Sequence, residues 1–262
     1  MTVKVSAIVS AYQAEKFIRG RIDDLMAQTL YKRGELEIIV VNSASTDQTQ
    51  AILEREYLPH ITLIQTPFRE SMYAAWNRAI QLAKGEYIVP ANVDDRNRPD
   101  AYEVMAKWLD HHPLDPHPKY DMVCPDSYVT AQANATFDKF EVSHEPPYIT
   151  GRLDFNSSQY SWVEHCKIGN TPMWRKSLHE QYGYFDTSYL IAGDYEWALR
   201  LKAHGVWIGV WVEILGLFYF HPSTQGRAYA EQSGYESRRA VLKWKPMIER
   251  NASIDKELSS SF

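Results

Sequence analysis

Two adjacent carboxylates, Asp94 and Asp95, follow an apolar run that closes with Pro90-Ala91-Asn92-Val93. Oxygen ligands of this kind hold a hard divalent cation, and such a cation neutralises phosphate oxygens. The same pair reads equally as a solvated turn, with an Asp capping the helix that starts near Pro99. The chemistry of the pair depends on which elements carry it.

Those elements are legible in the first hundred residues. Residues 3–10 form a short β-branched run that predicts a buried strand, and Phe17, Ile18, Ile22, Leu25 and Met26 then line one helical face. Further strands are predicted at 36–41, 61–65 and 86–90. Ser45-Thr46-Asp47 supplies a capped start for a helix running to Tyr57. Met72, Trp76, Ala79, Ile80 and Ala83 mark another helical stripe, which Gly85 is expected to end. Apolar strands alternating with helices predict an α/β fold with a mostly parallel central sheet and helices on both faces. Ligands of such sheets sit beyond the carboxyl ends of the strands. Residues 10–12, 42–43, 65–69 and 92–95 are therefore the stretches placed for chemistry.

The second half is less regular. Val104, Met105, Trp108 and Leu109 share a helical face ahead of a Pro/His-rich loop at 111–118, and residues 120–170 read as strands and loops. A helix is predicted over 194–203 with Trp197, Ala198 and Leu201 inward, followed by two strands at 206–212 and 214–220. From residue 227 the pattern is helical, with Ala240, Val241, Trp244 and Ile248 on one side despite Pro246. The polar tail 251–262 is expected to fray.

Composition removes several classes. Twenty-eight Lys+Arg against 33 Asp+Glu give a net charge of −5, so nucleic acid is not an expected partner. Eight Trp, 17 Tyr and 9 Phe suit either a core or a sugar-binding cleft, because Tyr and Trp combine a flat apolar face with a polar tip. Cys124 and Cys166 are too few for a disulfide framework and lack zinc-ligand spacing. No apolar stretch reaches the ~20 residues of a membrane span, and the N-terminus does not read as a secretion signal. The expected compartment is the cytoplasm.

The segments KVSAIVSAYQAEKFIRGRIDDLMAQT, LEIIVVNSASTDQT and AAWNRAIQLAKGEYIVPANVDDRNRPDA resemble, in order, the motifs of family 2 glycosyltransferases of the GT-A fold. The resemblance continues through Ile168-Gly169-Asn170, Met173-Trp174-Arg175 and YGYFDTSYLIAGDYEWALRLKAHG, and closes at Phe220-His221-Pro222. It covers residues 3–225, with the bacterial, SpsA-like single-domain branch nearest on account of Asp94-Asp95 and Gly193-Asp194. It implies a GT-A (Rossmann-like) domain over 1–225, with a nucleotide-binding half at 1–98 and an acceptor half at 99–225. A C-terminal helical extension at 226–262 follows.

The resemblance also implies roles. Ser10 and Tyr12 would flank the nucleotide base, with the tyrosine ring stacking on it. Asn42 and Ser43 stand where the family has base-recognising acidic residues, and Arg69 where an Arg approaches base or phosphate. Asp94 would hold the ribose or a metal, Asp95 would ligate the metal bridging the diphosphate, and His221 would be a further metal or diphosphate ligand. The implied cation is Mn2+ or Mg2+. Asp194 matches the general base of an inverting transfer, although Asp at a helix start also serves as a cap. Glu196 offers a second carboxylate on another face of the same helix.

The implied reaction moves a sugar from a nucleoside-diphosphate sugar, foremost a UDP-sugar, to a hydroxyl of a glycan or lipid-linked acceptor in polysaccharide assembly. Three departures stand out. Asn92-Val93-Asp94 replaces Asp-x-Asp, Asn42-Ser43 replaces an acidic pair, and Trp76 stands where Arg often precedes Asn. They leave a non-catalytic nucleotide-sugar binder as the alternative. A sugar-nucleotide pyrophosphorylase ranks lower, because residues 10–14 contain no glycine. Tyr148, Phe155, Tyr160, Trp162, Met173 and Trp174 fall in the acceptor half, as core or sugar platform. The stripe at Ala240, Val241, Trp244 and Ile248 fits core cover, a homodimer contact or peripheral membrane contact at the inner face. Arg238, Arg239, Lys243 and Lys245 keep the last two in play.

Overall fold

The computed structural model describes residues 2–111, 120–143, 162–163, 168–221 and 229–259. Its first half follows β1 (Val5–Ala11), α1 (Ile18–Ala27), a single turn α2 (Thr29–Lys32), β2 (Leu36–Ser43), α3 (Thr49–Ile52), β3 (Thr62–Thr66), α4 (Met72–Leu82) and β4 (Tyr87–Pro90). The second half adds β5 (Arg96–Asn97), α5 (Ala101–Asp110), β6 (Met122–Thr130), β7 (Met173–Arg175), α6 (Ser177–Tyr182), α7 (Gly193–Ala203), β8 (Ile208–Tyr219) and α8 (Ala230–Ser259).

Among the described residues eight strands join one sheet in the order β3-β2-β1-β4-β7-β6-β8-β5. β3, β2, β1 and β4 are mutually parallel. β7 pairs antiparallel with both β4 and β6, β6 runs parallel to β8, and β5 closes antiparallel on β8. Strand side chains alternate between faces. Thus Ile8, Ile39 and Val41 pack with α4 and α7 on one face, while Val5, Ala7, Val9, Ile38 and Val40 pack with α1 and α5 on the other. The four parallel strands end together, as their pattern predicts, with 10–12, 42–43, 65–69 and 92–95 at that edge.

Local departures have identifiable causes. The helix expected over 47–57 is broken into α3, a wider turn at Leu53–Tyr57 and a tight turn at Leu58–His60 that contains Pro59. Asp47 still supports its start, accepting from Thr49 N (3.0 Å) and Glu15 N (3.1 Å). α4 ends at Leu82, before Gly85. Gly85 is needed instead for close approach, since a Cβ there would lie 2.7 Å from Ser6 N. The strands expected at 206–212 and 214–220 are a single β8. Register shifts opposite Asp126 absorb the polar interruption at Glu213. α8 continues through 251–259 rather than fraying, and Asn251 Nδ2 donates to Ala203 O (2.8 Å).

Candidate active site

The two carboxylates that follow β4 have different environments. Asp95 is 2% exposed. Its Oδ1 accepts from Tyr219 N (3.1 Å) and its Oδ2 from Asn92 Nδ2 (3.0 Å). Its carbonyl accepts from both Arg21 Nη1 (3.0 Å) and Arg96 Nη1 (2.6 Å). Burial, and secondarily the charge of Asp94, push its carboxyl above the usual carboxylate range. Asp95 thus ties the turn after β4 to the end of β8. Asp94 is partly exposed, with its Oδ2 3.9 Å from His221 Nε2. Burial also raises its carboxyl, opposed by His221, Arg96 and Arg21.

Among the described residues no three His, Cys, Asp or Glu side chains converge as a complete metal cluster. Asp94 and His221 nonetheless present one oxygen and one nitrogen side by side at two strand ends. That donor set fits one side of an open cation site completed by phosphate oxygens and water. Asp95, expected as a ligand, has both its oxygens engaged by protein donors.

At the ends of β1, β2 and β3 the expected base-binding residues lie close in space. Ser10 is half-buried. Tyr12 is 41% exposed, and the Arg69 guanidinium sits over its ring at 4.3 Å from the centroid. Asn42 is fully buried, donating from Nδ2 to Gln65 Oε1 (2.7 Å) and accepting at Oδ1 from Ser45 Oγ (2.5 Å). Ser43 is buried, and its hydroxyl has no hydrogen-bond partner among the described residues. Asn42 and Ser43 therefore form a floor. The exposed amide beside them is Gln65, inside the 65–69 stretch but not singled out by the sequence.

Asp194 lies in the first turn of α7. Its Oδ1 accepts from Tyr195 N (2.8 Å) and from the Tyr73 hydroxyl (3.1 Å), which also reaches Ile191 O (2.7 Å). Burial raises its carboxyl above the ordinary range. Gly193 lets α7 approach α4, because a Cβ there would fall 2.7 Å from the Tyr73 ring. Glu196, the other carboxylate, is fully buried and bonded to Arg200, to Lys243 Nζ (3.0 Å) and to Trp244 Nε1 (2.8 Å). It joins α7 to α8. A cavity lies between the start of α7 and the turn after β4, with Trp76, Asn92, Asn170, Trp174, Asp194 and Trp197 among its lining; Asp94, His221 and the residues at the ends of β1, β2 and β3 do not line it. Tyr73 escaped the sequence reading because a tyrosine on a helical stripe carries no local mark of a distant partner.

The aromatic set divides. Met173 and Trp174 are buried core, Trp162 is nearly so, and Tyr148, Phe155 and Tyr160 lie outside the described residues. The C-terminal stripe covers the core: Ala240 and Ile248 are buried in it, with Val241 and Trp244 packed against it. Among the described residues no helix is long and apolar enough to cross a membrane.

A sheet of this order, with helices on both faces, is the GT-A arrangement of the solved structures it resembles. The sequence model of glycosyl transferase family 2 matches residues 6–183, and the chain belongs to that family. It is similar to the putative glycosyltransferase EpsE of Bacillus subtilis, 32% identical over 112 residues, which is 42% of this chain and 39% of that protein. It is 29% identical over 116 residues to the poly(ribitol-phosphate) β-N-acetylglucosaminyltransferase TarS of Staphylococcus aureus, covering 43% of this chain and 20% of TarS. The chain thus spans well under half the length of these relatives. Among solved structures, TarS 1–349 with UDP-GlcNAc superposes with a TM-score of 0.70 at 20% identity, over 91% of this chain and 65% of that one. A mannosyltransferase of Pyrobaculum calidifontis with GDP-Man and Mn2+ gives 0.64 at 20% identity, over 96% and 70%.

Proposed function

We propose that the chain is an inverting glycosyltransferase that moves a sugar from a nucleoside-diphosphate sugar, foremost a UDP-hexose or UDP-N-acetylhexosamine, to a glycan or lipid-linked hydroxyl. The observation that carries this reading is a cavity lined by both Asn92, at the acidic turn, and Asp194. In the proposed step Asp194 accepts the acceptor hydroxyl proton as that oxygen attacks the anomeric carbon. The bond from that carbon to the diphosphate oxygen breaks, and the sugar is released from the nucleotide with inverted configuration.

Tyr12 stacks on the base with Arg69 above it, Ser10 flanks it, and Gln65 presents a polar edge over the Asn42-Ser43 floor. Asp94 and His221 would hold Mn2+ or Mg2+, which when bound neutralises the charge that the leaving diphosphate acquires. Asp95 keeps the turn in shape. The nucleotide-sugar complexes of the similar structures support the donor class. The assigned halves, 1–98 for nucleotide and 99–225 for acceptor, belong to the same reading, as does action in the cytoplasm at the membrane's inner face.

Thermal unfolding with UDP, GDP and dTDP, with and without Mn2+, tests the first half of this reading, and transfer from a panel of the corresponding sugars tests the second. Stabilisation by UDP that Mn2+ increases is the expected result. No stabilisation by any nucleotide would overturn it, and binding without turnover of any donor would favour a non-catalytic binder.

A further inference from the structure

α8 lies beyond the segment matched by the family, which ends at residue 183. Its contact with the Asp194 loop is nonetheless polar and specific. Glu236 is fully buried, and its carboxylate receives three successive backbone amides: Leu190 N (2.9 Å), Ile191 N (2.8 Å) and Ala192 N (2.9 Å). Gln232 Nε2 adds a fourth donor from α8 itself (2.7 Å). Successive amides turned to one side form an anion-binding nest, here filled by a side chain of the same protein. The captured turn leads straight into Gly193-Asp194. Its Ile191 carbonyl accepts from the Tyr73 hydroxyl that also reaches Asp194. Arg239, one turn further along α8, lies 3.6 Å from the Tyr189 ring centroid and bonds Ser188 Oγ (2.9 Å).

We infer that Glu236 is the positioning residue for Asp194: by holding the 190–192 amides it sets where that carboxylate enters the cavity, which makes α8 part of the active site. The inference rests on the proposed role of Asp194, but its first half, the capture of the loop, can be read without turnover. A carboxylate fills the nest with two acceptor oxygens. The isosteric amide supplies one oxygen and turns an NH2 toward backbone N–H groups, so a three-amide capture fails.

The test compares Glu236→Gln with Trp244→Phe. The second variant loses the indole bond to Glu196 and loosens α8 without touching the captured turn. Amide hydrogen exchange reads the loop, and steady-state kinetics with nucleotide titration read the site. For Glu236→Gln, exchange at 190–192 should rise at least about tenfold. Its kcat should fall at least about tenfold while donor KM and nucleotide Kd stay within about twofold. Trp244→Phe should lower Tm but leave exchange at 190–192 and kcat unchanged. Retained exchange protection in Glu236→Gln overturns the inference, as does a kcat loss that Trp244→Phe matches at equal loss of Tm. If the parent protein turns over no donor, the proposed function and the catalytic half of the inference fail together, while exchange still decides the loop capture.

Discussion

Asp94 and Asp95 differ by one position in the chain and by almost everything else. Asp95 is held by Asn92 and Tyr219, whereas Asp94 faces His221 at a partly open edge. Asp95→Ala should leave Tyr219 N and the Asn92 amide unpaired, at about 3 kcal/mol of stability. Asp94→Ala should leave Tm nearly unchanged and abolish the increment that Mn2+ adds to nucleotide binding. Denaturation and titration of both variants check this, and a metal response lost only in a stably folded Asp95→Ala would reverse the assignment. For Asp194, the reactive form is the carboxylate, and burial has raised its pKa. Activity should therefore fall as pH drops through a value above the ordinary ~4 of Asp. Asp194→Asn should lose about 10²-fold or more in kcat with nucleotide affinity kept. Loss of nucleotide binding in that variant would contradict a base role.

At the scale of elements, the Asp194 loop is held from three sides. Asn77 on α4 exchanges two bonds with the backbone of Phe185, at 2.8 and 3.0 Å. Tyr73 supports the start of α7, and Glu236 captures the turn before it. Behind them α6 contributes His179, buried between Trp197 (ring centroids 4.6 Å) and Tyr184 (5.4 Å). Its Nε2 accepts from Trp174 Nε1 (2.9 Å), so the ring is neutral with its proton on Nδ1, facing Gly183 O. Burial pulls its pKa down to about 4. The unfolded chain takes up this proton below pH ~6.5, whereas the native state resists until about 4. Stability is thus lost as pH falls across that window, by up to roughly 3 kcal/mol. Urea unfolding at pH 7 and pH 4.5 should show this loss, and His179→Gln should shrink it. An unchanged pH dependence in that variant would remove His179 as its source.

Among the described residues the molecule is built on one sheet, and α8 packs against α7, which covers one of its faces. Truncation after residue 229 would uncover the surface that Ala240, Val241, Trp244 and Ile248 protect and would strip Glu196 of its Lys243 and Trp244 partners. Each large buried apolar side chain contributes roughly 1.5–3 kcal/mol, against a total stability of about 5–15. The truncated chain should therefore lose cooperative thermal unfolding. A sharp transition retained by that chain would show that α8 is dispensable to the core.

The strands at the parallel edge, the stripes of α1, α4 and α5, and the inward face of α7 were legible because each depends on contacts that repeat every two or every three to four residues. The same local grammar put Ser10, Tyr12, Arg69 and Asp94 at one edge. Local signals misled at two places: Glu213 read as a break between strands, and the capped start at 45–47 read as one helix running to Tyr57. Nothing local marked Asn42 as buried floor, Asp95 as a tie rather than an open ligand, or Glu236 as the clamp of a loop 44 to 46 positions earlier. The sequence by itself determined the fold class and the edge at which chemistry occurs, since periodicity is a property of neighbours. Only the tertiary structure decided which carboxylates are spent on holding the site and which remain open, because a carboxylate's role follows from donors that arrive from distant parts of the chain.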